Sequence, residues 1–288
     1  MTDTVCFLSP RDLGHAIGVS ESTVKRWIDG GRLRVMRTPG GHRRIPIGET
    51  IRFIREQRCD IDRPELLGIE PGTVESGLAG EALAAPLTTA LEAGDEAQAR
   101  RLVTGAFLAG QAVADLGDLA IRPALQRIGE LWRHGDDGIA IEHHAVQILA
   151  GVLERLRAML PHPGPDAPTA IGAGPSGDPY HLPSAMAALV LAERGWRTMN
   201  LGPDTPRAAF LSALGRHRPK LAWCSVCAPP SPGLGDDLAV LARHGMRIGT
   251  RLVVGGRSAP IPGPEAGWHR VESMRALGEY GYRLASLH

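Results

Sequence analysis

Residues 8–35, LSPRDLGHAIGVSESTVKRWIDGGRLRV, predict two short helices joined by a tight turn. Ser9 is a good N-cap for the first helix, and Asp12 lies where the acid of a capping box belongs. Gly18 breaks the pattern, Ser20 can cap a second helix, and a pair of glycines ends that helix. Two short helices around such a turn form a helix-turn-helix.

The second helix leaves short hydroxyls and cations on its outer face, which suit phosphates and base edges in a DNA major groove. These side chains are Ser22, Thr23, Lys25 and Arg26. The next stretch, LRVMRTPGGHRRIPI (residues 33–47), predicts two strands about a Pro-Gly-Gly turn, which would form a wing. The basic side chains of this wing are Arg37, His42, Arg43 and Arg44. A solvated, charged surface on a small helical cap is the alternative interpretation.

Positive charge is concentrated in this part of a nearly neutral chain, whose 288 residues have a formal net charge of +1. Residues 1–60 hold eleven Lys and Arg against seven Asp and Glu, a local excess of four. Within residues 22–44, seven basic residues stand against Asp29 alone. Such a distribution indicates that this end of the chain meets a polyanion.

Residues 6–57, with GGHRR in the wing, resemble the winged-helix DNA-binding domain of the MerR superfamily. The resemblance implies that residues 1–58 bind double-stranded DNA, as a dimer or larger assembly because one module reads only a few base pairs. RNA polymerase is a further partner that it implies. Residues 59–80 have no apolar period and contain Pro and Gly, which predicts a linker. No long heptad helix follows the wing, so we expect association through the sensor further along the chain.

The middle of the chain, residues 81–161, has helical periodicity and predicts a four-helix bundle. The last of these helices has an apolar stripe, and about 100° per residue places Glu142 inside it, with His143 at its edge. A carboxylate on a core face is costly unless a partner residue or a polar ligand satisfies it. Trp132 continues the apolar face of the preceding helix, so core packing and contact with a ligand both remain open for it.

Beyond a Pro-rich boundary, residues 162–288 alternate apolar runs with helical patterns. Strand candidates are residues 169–173, 198–201, 221–226 and 252–254, with a last strand near 268–271. This alternation predicts a Rossmann-like, flavodoxin-like, doubly wound parallel sheet with ligands at the carboxyl ends of its strands. The whole chain is therefore expected to be a multidomain protein of α and α/β parts.

The loops at those carboxyl ends resemble the cobalamin-binding module shared by methionine synthase and corrinoid mutases. Asp178-x-Tyr180-x-x-Pro183 is followed after 41 residues by Ser225-Val226-Cys227, and after 27 more by Gly255-Gly256. In the bundle, Trp132-x9-Glu142-His143 resembles the signature of light-sensing, cobalamin-dependent MerR-type repressors, in which these side chains cover the upper face of the corrin. The resemblance implies adenosylcobalamin or a related corrinoid as the ligand.

One position departs from that module. The family's histidine ligates cobalt from below, with the aspartate orienting its imidazole, but Tyr180 occupies the ligand position here. A phenol with a pKa near 10 is a poor cobalt ligand at neutral pH. His181, one residue later, and His134, in the bundle, are candidate replacements. Both are equally well described as surface histidines.

Other chemistry is disfavoured. Cys224 and Cys227 have a CxxC spacing, but they fall in an apolar strand without a second metal-binding pair, which favours buried structural thiols.

No signal peptide or membrane-spanning run is evident, so we expect a cytoplasmic protein associated with the bacterial nucleoid. No substrate-binding barrel accompanies the corrinoid-type module, which disfavours an enzyme, and no residue is assigned a catalytic role.

The sequence therefore predicts a transcriptional regulator, most simply a repressor, whose oligomerisation and operator binding are controlled by a photoreceptor-like cobalamin sensor. In the family it resembles, adenosylcobalamin assembles the sensors into a tetramer in the dark, and light releases the DNA. The alternative is a MerR-type regulator with a degenerate sensor. Such a protein would oligomerise constitutively or bind another ligand, such as a tetrapyrrole.

Overall fold

The computed structural model describes residues 7–73, 77–131 and 136–286. By its internal contacts the chain divides into two compact units, which are described separately below. The first is Met1–Ala112 with Leu119–His162, and the second is Val113–Asp118 with Pro163–His288.

The first unit begins with the predicted pair of short helices, α1 (Pro10–Ala16) and α2 (Glu21–Asp29). The Ser9 side chain accepts a hydrogen bond from the Asp12 amide at 3.1 Å, and the Asp12 carboxylate accepts one from the Ser9 amide at 3.2 Å. This reciprocal capping box is the one the sequence predicts, and it lowers the pKa of Asp12 because the Ser9 hydroxyl hydrogen-bonds to the carboxylate. Ser20 caps α2 by accepting from the Thr23 amide.

A small antiparallel sheet forms the wing. Its strands are β1 (Phe7–Leu8), β2 (Met36–Arg37) and β3 (Arg43–Pro46), in the spatial order β1-β3-β2. Thr38 and His42 close the turn, since the Thr38 amide donates to the His42 carbonyl at 3.0 Å. Helix α3 (Ile47–Gln57) follows β3 directly. The buried core of this part comprises Leu13, Val24, Leu33, Ile45, Ile51, Phe53 and Ile54.

The segment after α3 packs against the winged helix, although its sequence has no periodic pattern. The amides of Asp62 and Arg63 both donate to the Ala16 carbonyl at the end of α1. A 3-10 turn, Pro64–Leu67, then buries Leu67, and Ile69 is buried just beyond it. Sequence periodicity does not detect a segment of this kind, because it is too short for an apolar period and the bonds that attach it to α1 come from residues distant in sequence.

Four helical stretches follow in the region predicted to be a bundle. They are α4 (Ala84–Glu92), α5 (Glu96–Leu108), the stretch that ends in α7 (Arg122–Leu131), and α8 (Asp136–Met159). The third stretch begins with α6 (Val113–Asp115) and a π-helical turn (Leu116–Ile121), of which Val113–Asp118 belong to the second unit. Most of the predicted apolar stripe at residues 141–160 is buried, while Ile141 is half-buried. The buried members are Ala145, Ile148, Leu149, Val152, Leu153, Leu156 and Leu160.

The second unit contains a five-stranded parallel sheet, which confirms the predicted fold class. The strands are β4 (Thr169–Ala173), β5 (Arg197–Asn200), β6 (Leu221–Ser225), β7 (Arg251–Gly255) and β8 (Trp268–Arg270). The helices between and after them are α9 (His181–Glu193), α10 (Arg207–His217), α11 (Leu234–Ile248) and α12 (Met274–Ala285). The spatial order is β5-β4-β6-β7-β8, the flavodoxin-like arrangement.

Each face of this sheet has its own core. Phe210, Leu214, Leu238 and Leu241 fill the face covered by α10 and α11. On the α9 and α12 face the largest buried side chains are Trp196 and Trp223. The Trp223 indole lies against Gly172 on the neighbouring strand, where a Cβ would overlap with the ring.

The strand order reverses between β4 and β6, and this reversal locates the candidate site. At such a switch point the loops after the two strands run in opposite directions and leave a crevice at the carboxyl edge, where open α/β sheets bind ligands. The loops concerned are residues 174–180 after β4 and 226–233 after β6.

Across the described part of the chain, no helix is both long and apolar enough to cross a membrane.

Substitution of Gly48 tests how closely α3 packs against residues 160 and 161. A Cβ at Gly48, in the first turn of α3, would overlap with the Leu160 carbonyl and lie 2.8 Å from the Pro161 nitrogen. We therefore expect Gly48→Ala to reduce the free energy of unfolding by about 2–3 kcal/mol, because the obstacle is backbone. Urea denaturation followed by helical circular dichroism measures this.

Gly151→Ala is the matched control. Gly151 is exposed on α8, and apart from its own helix turn nothing lies within 4 Å of the site of its missing Cβ. This change should raise stability by about 0.5–1 kcal/mol through helix propensity. Equal unfolding curves for the two variants would contradict the close packing at Gly48.

Candidate functional site

The Asp178 carboxylate lies at the centre of the switch-point edge. Its side chain is buried, and three backbone amides donate to it. Oδ2 accepts from the Cys227 amide at 2.5 Å and from the Ala228 amide at 3.0 Å, while Oδ1 accepts from the Tyr180 amide at 3.1 Å. This one side chain thus ties the loop after β4 to the loop after β6.

Arg257 ties in the third loop, after β7. Its Nε donates to the Cys227 carbonyl at 2.7 Å, and its guanidinium carbon lies 4.8 Å from the centre of the Tyr180 ring. The Ser258 hydroxyl donates to the same carbonyl at 3.2 Å. Tyr180 is 39% exposed, so its ring covers the edge from outside rather than filling a core.

The glycine pair, Gly255 and Gly256, packs closely against the backbone that follows β6. Gly256 has φ +113°, and a Cβ there would overlap with the Val226 carbonyl group. Gly255 accepts from the Val226 amide at 2.8 Å through its own carbonyl. Ser225, buried at the end of β6, directly precedes this contact. Only glycine allows the backbones after β6 and β7 to approach so closely.

The structure therefore gathers the predicted site residues of the second unit at one edge of the sheet. They are Asp178, Tyr180, His181, Ser225, Gly255 and Gly256. The crevice between the first two loops is nearly closed, with about 10 Å³ of free space, room for about one water molecule.

This arrangement tests the expected lower axial ligand. Asp178 makes its described hydrogen bonds to backbone amides, so none of them orients an imidazole. His181 is exposed at the first position of α9, where its side chain makes no described hydrogen bond. The donor set at this edge fits a corrinoid that takes no axial ligand from position 180. It does not fit one that requires an aspartate-supported imidazole there.

The CxxC thiols are buried beneath the same loops. Burial raises the pKa of Cys224 to about 12, and it also raises the pKa of Cys227. In this protonated, buried state the thiols are poor nucleophiles at neutral pH. Within residues 7–73, 77–131 and 136–286, no three His, Cys, Asp or Glu side chains come together as a metal site requires.

In the bundle, Glu142 and His143 lie side by side on α8. The Glu142 side chain is 22% exposed and that of His143 is 71% exposed, with Oε2 and Nε2 3.7 Å apart. Glu142 is thus partly buried and His143 is exposed. Trp132 and His134 lie outside the described residues.

On the winged helix, the predicted DNA-facing residues divide into two groups. Ser22, Lys25, Arg26, Arg37, His42 and Arg44 are exposed, while Thr23 and Arg43 are half-buried. Lys25 pairs with Glu21 at 2.7 Å one turn earlier, and this hydrogen bond lowers the pKa of Glu21. Arg43 pairs with Asp29 at 2.7 Å.

Two participants were missed from the sequence. Arg257 directly follows the glycine pair, and its position as a cation just after a parallel strand is the sequence feature that could have identified it. Asp204 accepts from the Gly177 amide at 2.7 Å and so holds the turn before Asp178. It lies 27 residues from its partner, and no local pattern reveals such a bond.

Comparison with known proteins adds a family. Residues 83–157 match the family model of the B12 binding domain, and this range spans α4 to most of α8. The bundle is thus similar to a B12 binding domain over these residues.

Two individual proteins are similar to larger parts of the chain. The HTH-type transcriptional repressor CarA of Myxococcus xanthus is 28% identical over 147 residues, which are 51% of this chain and 46% of the repressor. The match thus spans about half the length of that curated relative. The monomethylamine corrinoid protein of Methanosarcina barkeri has a TM-score of 0.53 at 18% identity, over 69% of this chain and 96% of that one. This second likeness shows the shared fold.

The contribution of Asp178 can be measured by hydrogen exchange of the backbone amides that donate to its carboxylate. Asp178→Ala leaves two buried amides without an acceptor, so we expect a local loss of about 3 kcal/mol. Hydrogen exchange of peptides covering residues 224–230 should then be on the order of 100-fold faster. Asp178→Asn, which keeps one oxygen, should show a smaller increase.

Asp166→Ala, at an exposed position of the same unit, serves as the control and should leave this exchange unchanged. Unchanged protection of these peptides in Asp178→Ala would contradict the role assigned to the carboxylate.

Proposed function

We propose that this chain is a DNA-binding transcriptional regulator, a repressor in the simplest case, with a sensor that takes a corrinoid. The observation that carries the proposal is the combination of two parts in one chain. A B12 binding domain match over residues 83–157 follows a winged helix whose exposed face is basic. Similarity over about half its length to a transcriptional repressor supports the regulatory assignment over an enzymatic one.

Exposed cations support DNA as the partner. Arg26 projects from α2, and Arg37, His42 and Arg44 project from the wing. In a winged helix, the second helix enters the major groove and the wing lies along the phosphate backbone. Operator binding would require two or more copies of the chain, as a dimer or a tetramer formed through the sensor, and RNA polymerase is a further candidate partner. Such a regulator works in the cytoplasm, at the nucleoid.

For the ligand, we propose a corrinoid in its adenosyl form. When bound, adenosylcobalamin would supply a cobalt–carbon bond that light can break. Glu142 and His143 are the described side chains of the bundle that we assign to contact with it, together with Trp132. Tyr180 is not a suitable metal ligand, so the residues around Asp178 would contribute contacts to the ligand rather than an axial base.

A second candidate function has its own support. The Asp178 carboxylate accepts from backbone amides and the crevice beside it has about 10 Å³ of free space, so the hydrogen bonds at this edge do not require a ligand. This favours a regulator that oligomerises constitutively or responds to a different tetrapyrrole.

DNA binding is tested with Arg44→Ala. We expect weaker binding to all DNA sequences and a salt dependence that falls by about one unit of slope, because one phosphate contact is lost. Arg216→Ala, an exposed cation on α10, is the charge-matched control and should bind as the parent does. Equal losses in both variants, or none in either, would contradict binding through the wing.

Ligand binding is tested by titrating the purified chain with adenosylcobalamin in the dark, following the corrin absorbance. Illumination and size-exclusion chromatography follow. We expect saturable binding and a light-dependent change in oligomer size. Tyr180→His should bind with an altered cobalt absorbance if the new imidazole reaches the metal. No absorbance change in the parent protein would reject the corrinoid and leave the second candidate.

A further inference from the structure

Arg43 connects the wing to the second helix of the winged-helix domain. It is the first residue of β3, and its Nη2 lies 2.7 Å from Oδ1 of Asp29, the last residue of α2. Its Nη1 donates to the Lys25 carbonyl at 3.4 Å, one turn earlier in the same helix. A single guanidinium thus contacts a side chain and a backbone carbonyl at one helix end.

The surroundings of Arg43 favour a fixed position. Its side chain is 23% exposed, far less than that of a typical surface arginine. The carboxyl end of a helix attracts a cation because its aligned peptide dipoles place partial negative charge there. The planar guanidinium can satisfy two acceptors at once, which restricts its orientation. Asp29 is 61% exposed, so the pair contributes little to stability and its effect is on geometry.

The pairing also changes which cations are available to phosphates. Of the seven basic residues in 22–44, Lys25 and Arg43 are in ion pairs, and Arg32 packs over the rings of Trp27 and Phe53. In the described part of the domain, no ion pair involves the remaining four, which are all exposed: Arg26, Arg34, Arg37 and Arg44. Phosphate contact is therefore expected from these four.

We infer that Arg43 and Asp29 form a latch that sets the angle between the wing and the second helix, and that this angle determines operator specificity. The latch rests on the proposed DNA binding and refines it: Arg43 is a positioning residue, and Asp29 is a required part of a basic surface. The two side chains cancel each other's charge, so their contribution is to shape.

The substitution Asp29→Asn distinguishes this positioning role from a purely electrostatic one. The two roles predict opposite changes in affinity for the preferred DNA sequence. The change adds one net positive charge to the DNA-facing surface, so electrostatics alone predicts tighter binding to any DNA. The latch predicts weaker binding to the preferred sequence, by about tenfold, with binding to random DNA unchanged or tighter. The probe is the fragment that the parent protein enriches from a random duplex pool, compared with an unenriched duplex of equal length.

Glu21→Gln is the matched control. It removes an acid from the same helix and the partner of Lys25, but it leaves the wing contact intact. It should bind both DNAs as tightly as the parent or more tightly. Arg43→Gln should lose specificity as Asp29→Asn does, and the double variant should be no worse than either single change, because both break one contact.

The outcomes are distinct. If Asp29→Asn and Glu21→Gln behave alike on both DNAs, the latch is rejected while DNA binding stands. If Arg43→Gln weakens binding to both DNAs equally and lowers the salt slope, Arg43 is a phosphate contact and the latch is again rejected. If the parent protein enriches no fragment, the proposed DNA binding fails and the latch fails with it. Circular dichroism of each variant verifies that the domain remains folded.

Discussion

The hydrogen bonds from three backbone amides to the Asp178 carboxylate organise the carboxyl edge of the parallel sheet. A buried carboxylate is tolerated only when such donors satisfy it, and here the donors come from two different loops. The Cys227 carbonyl, on the same short segment, accepts from Arg257 and Ser258 of a third loop. The place where this fold binds ligands is therefore held together by its own backbone, and any ligand must bind to a preformed edge.

This constraint changes the significance of Tyr180. In a site where an aspartate supports an imidazole, replacing the imidazole would leave the carboxylate without a purpose. Here the carboxylate has a structural role that does not depend on the side chain at position 180, because Tyr180 contributes only its backbone amide, so the tyrosine is compatible with a well-formed edge. Its ring lies against the Arg257 guanidinium. The bundle, whose residues 83–157 match the B12 binding domain, is consequently the stronger support for a corrinoid.

In the winged helix, acidic side chains determine which basic side chains remain available to bind DNA. Asp29 and Glu21 occupy two of the cations that the charge count assigns to DNA. Counting charges along the chain measures attraction to a polyanion, but it does not separate cations that meet phosphate from cations that hold the domain in shape. That separation depends on distances across the fold.

The sequence by itself determined the elements whose signals are local. Capping at Ser9, the apolar stripe of α8, the wing turn and the alternation of strands with helices all depend on neighbours within about one or two turns. The fold class and the motif positions could therefore be predicted. Only the tertiary structure decided the partners of Asp178, Arg43 and Arg257, and the packing of residues 62–69 on α1. The hydrogen bonds and the ion pair concerned join residues 14 to 50 positions apart, and the choice among many equivalent donors and acceptors is made by how the elements pack.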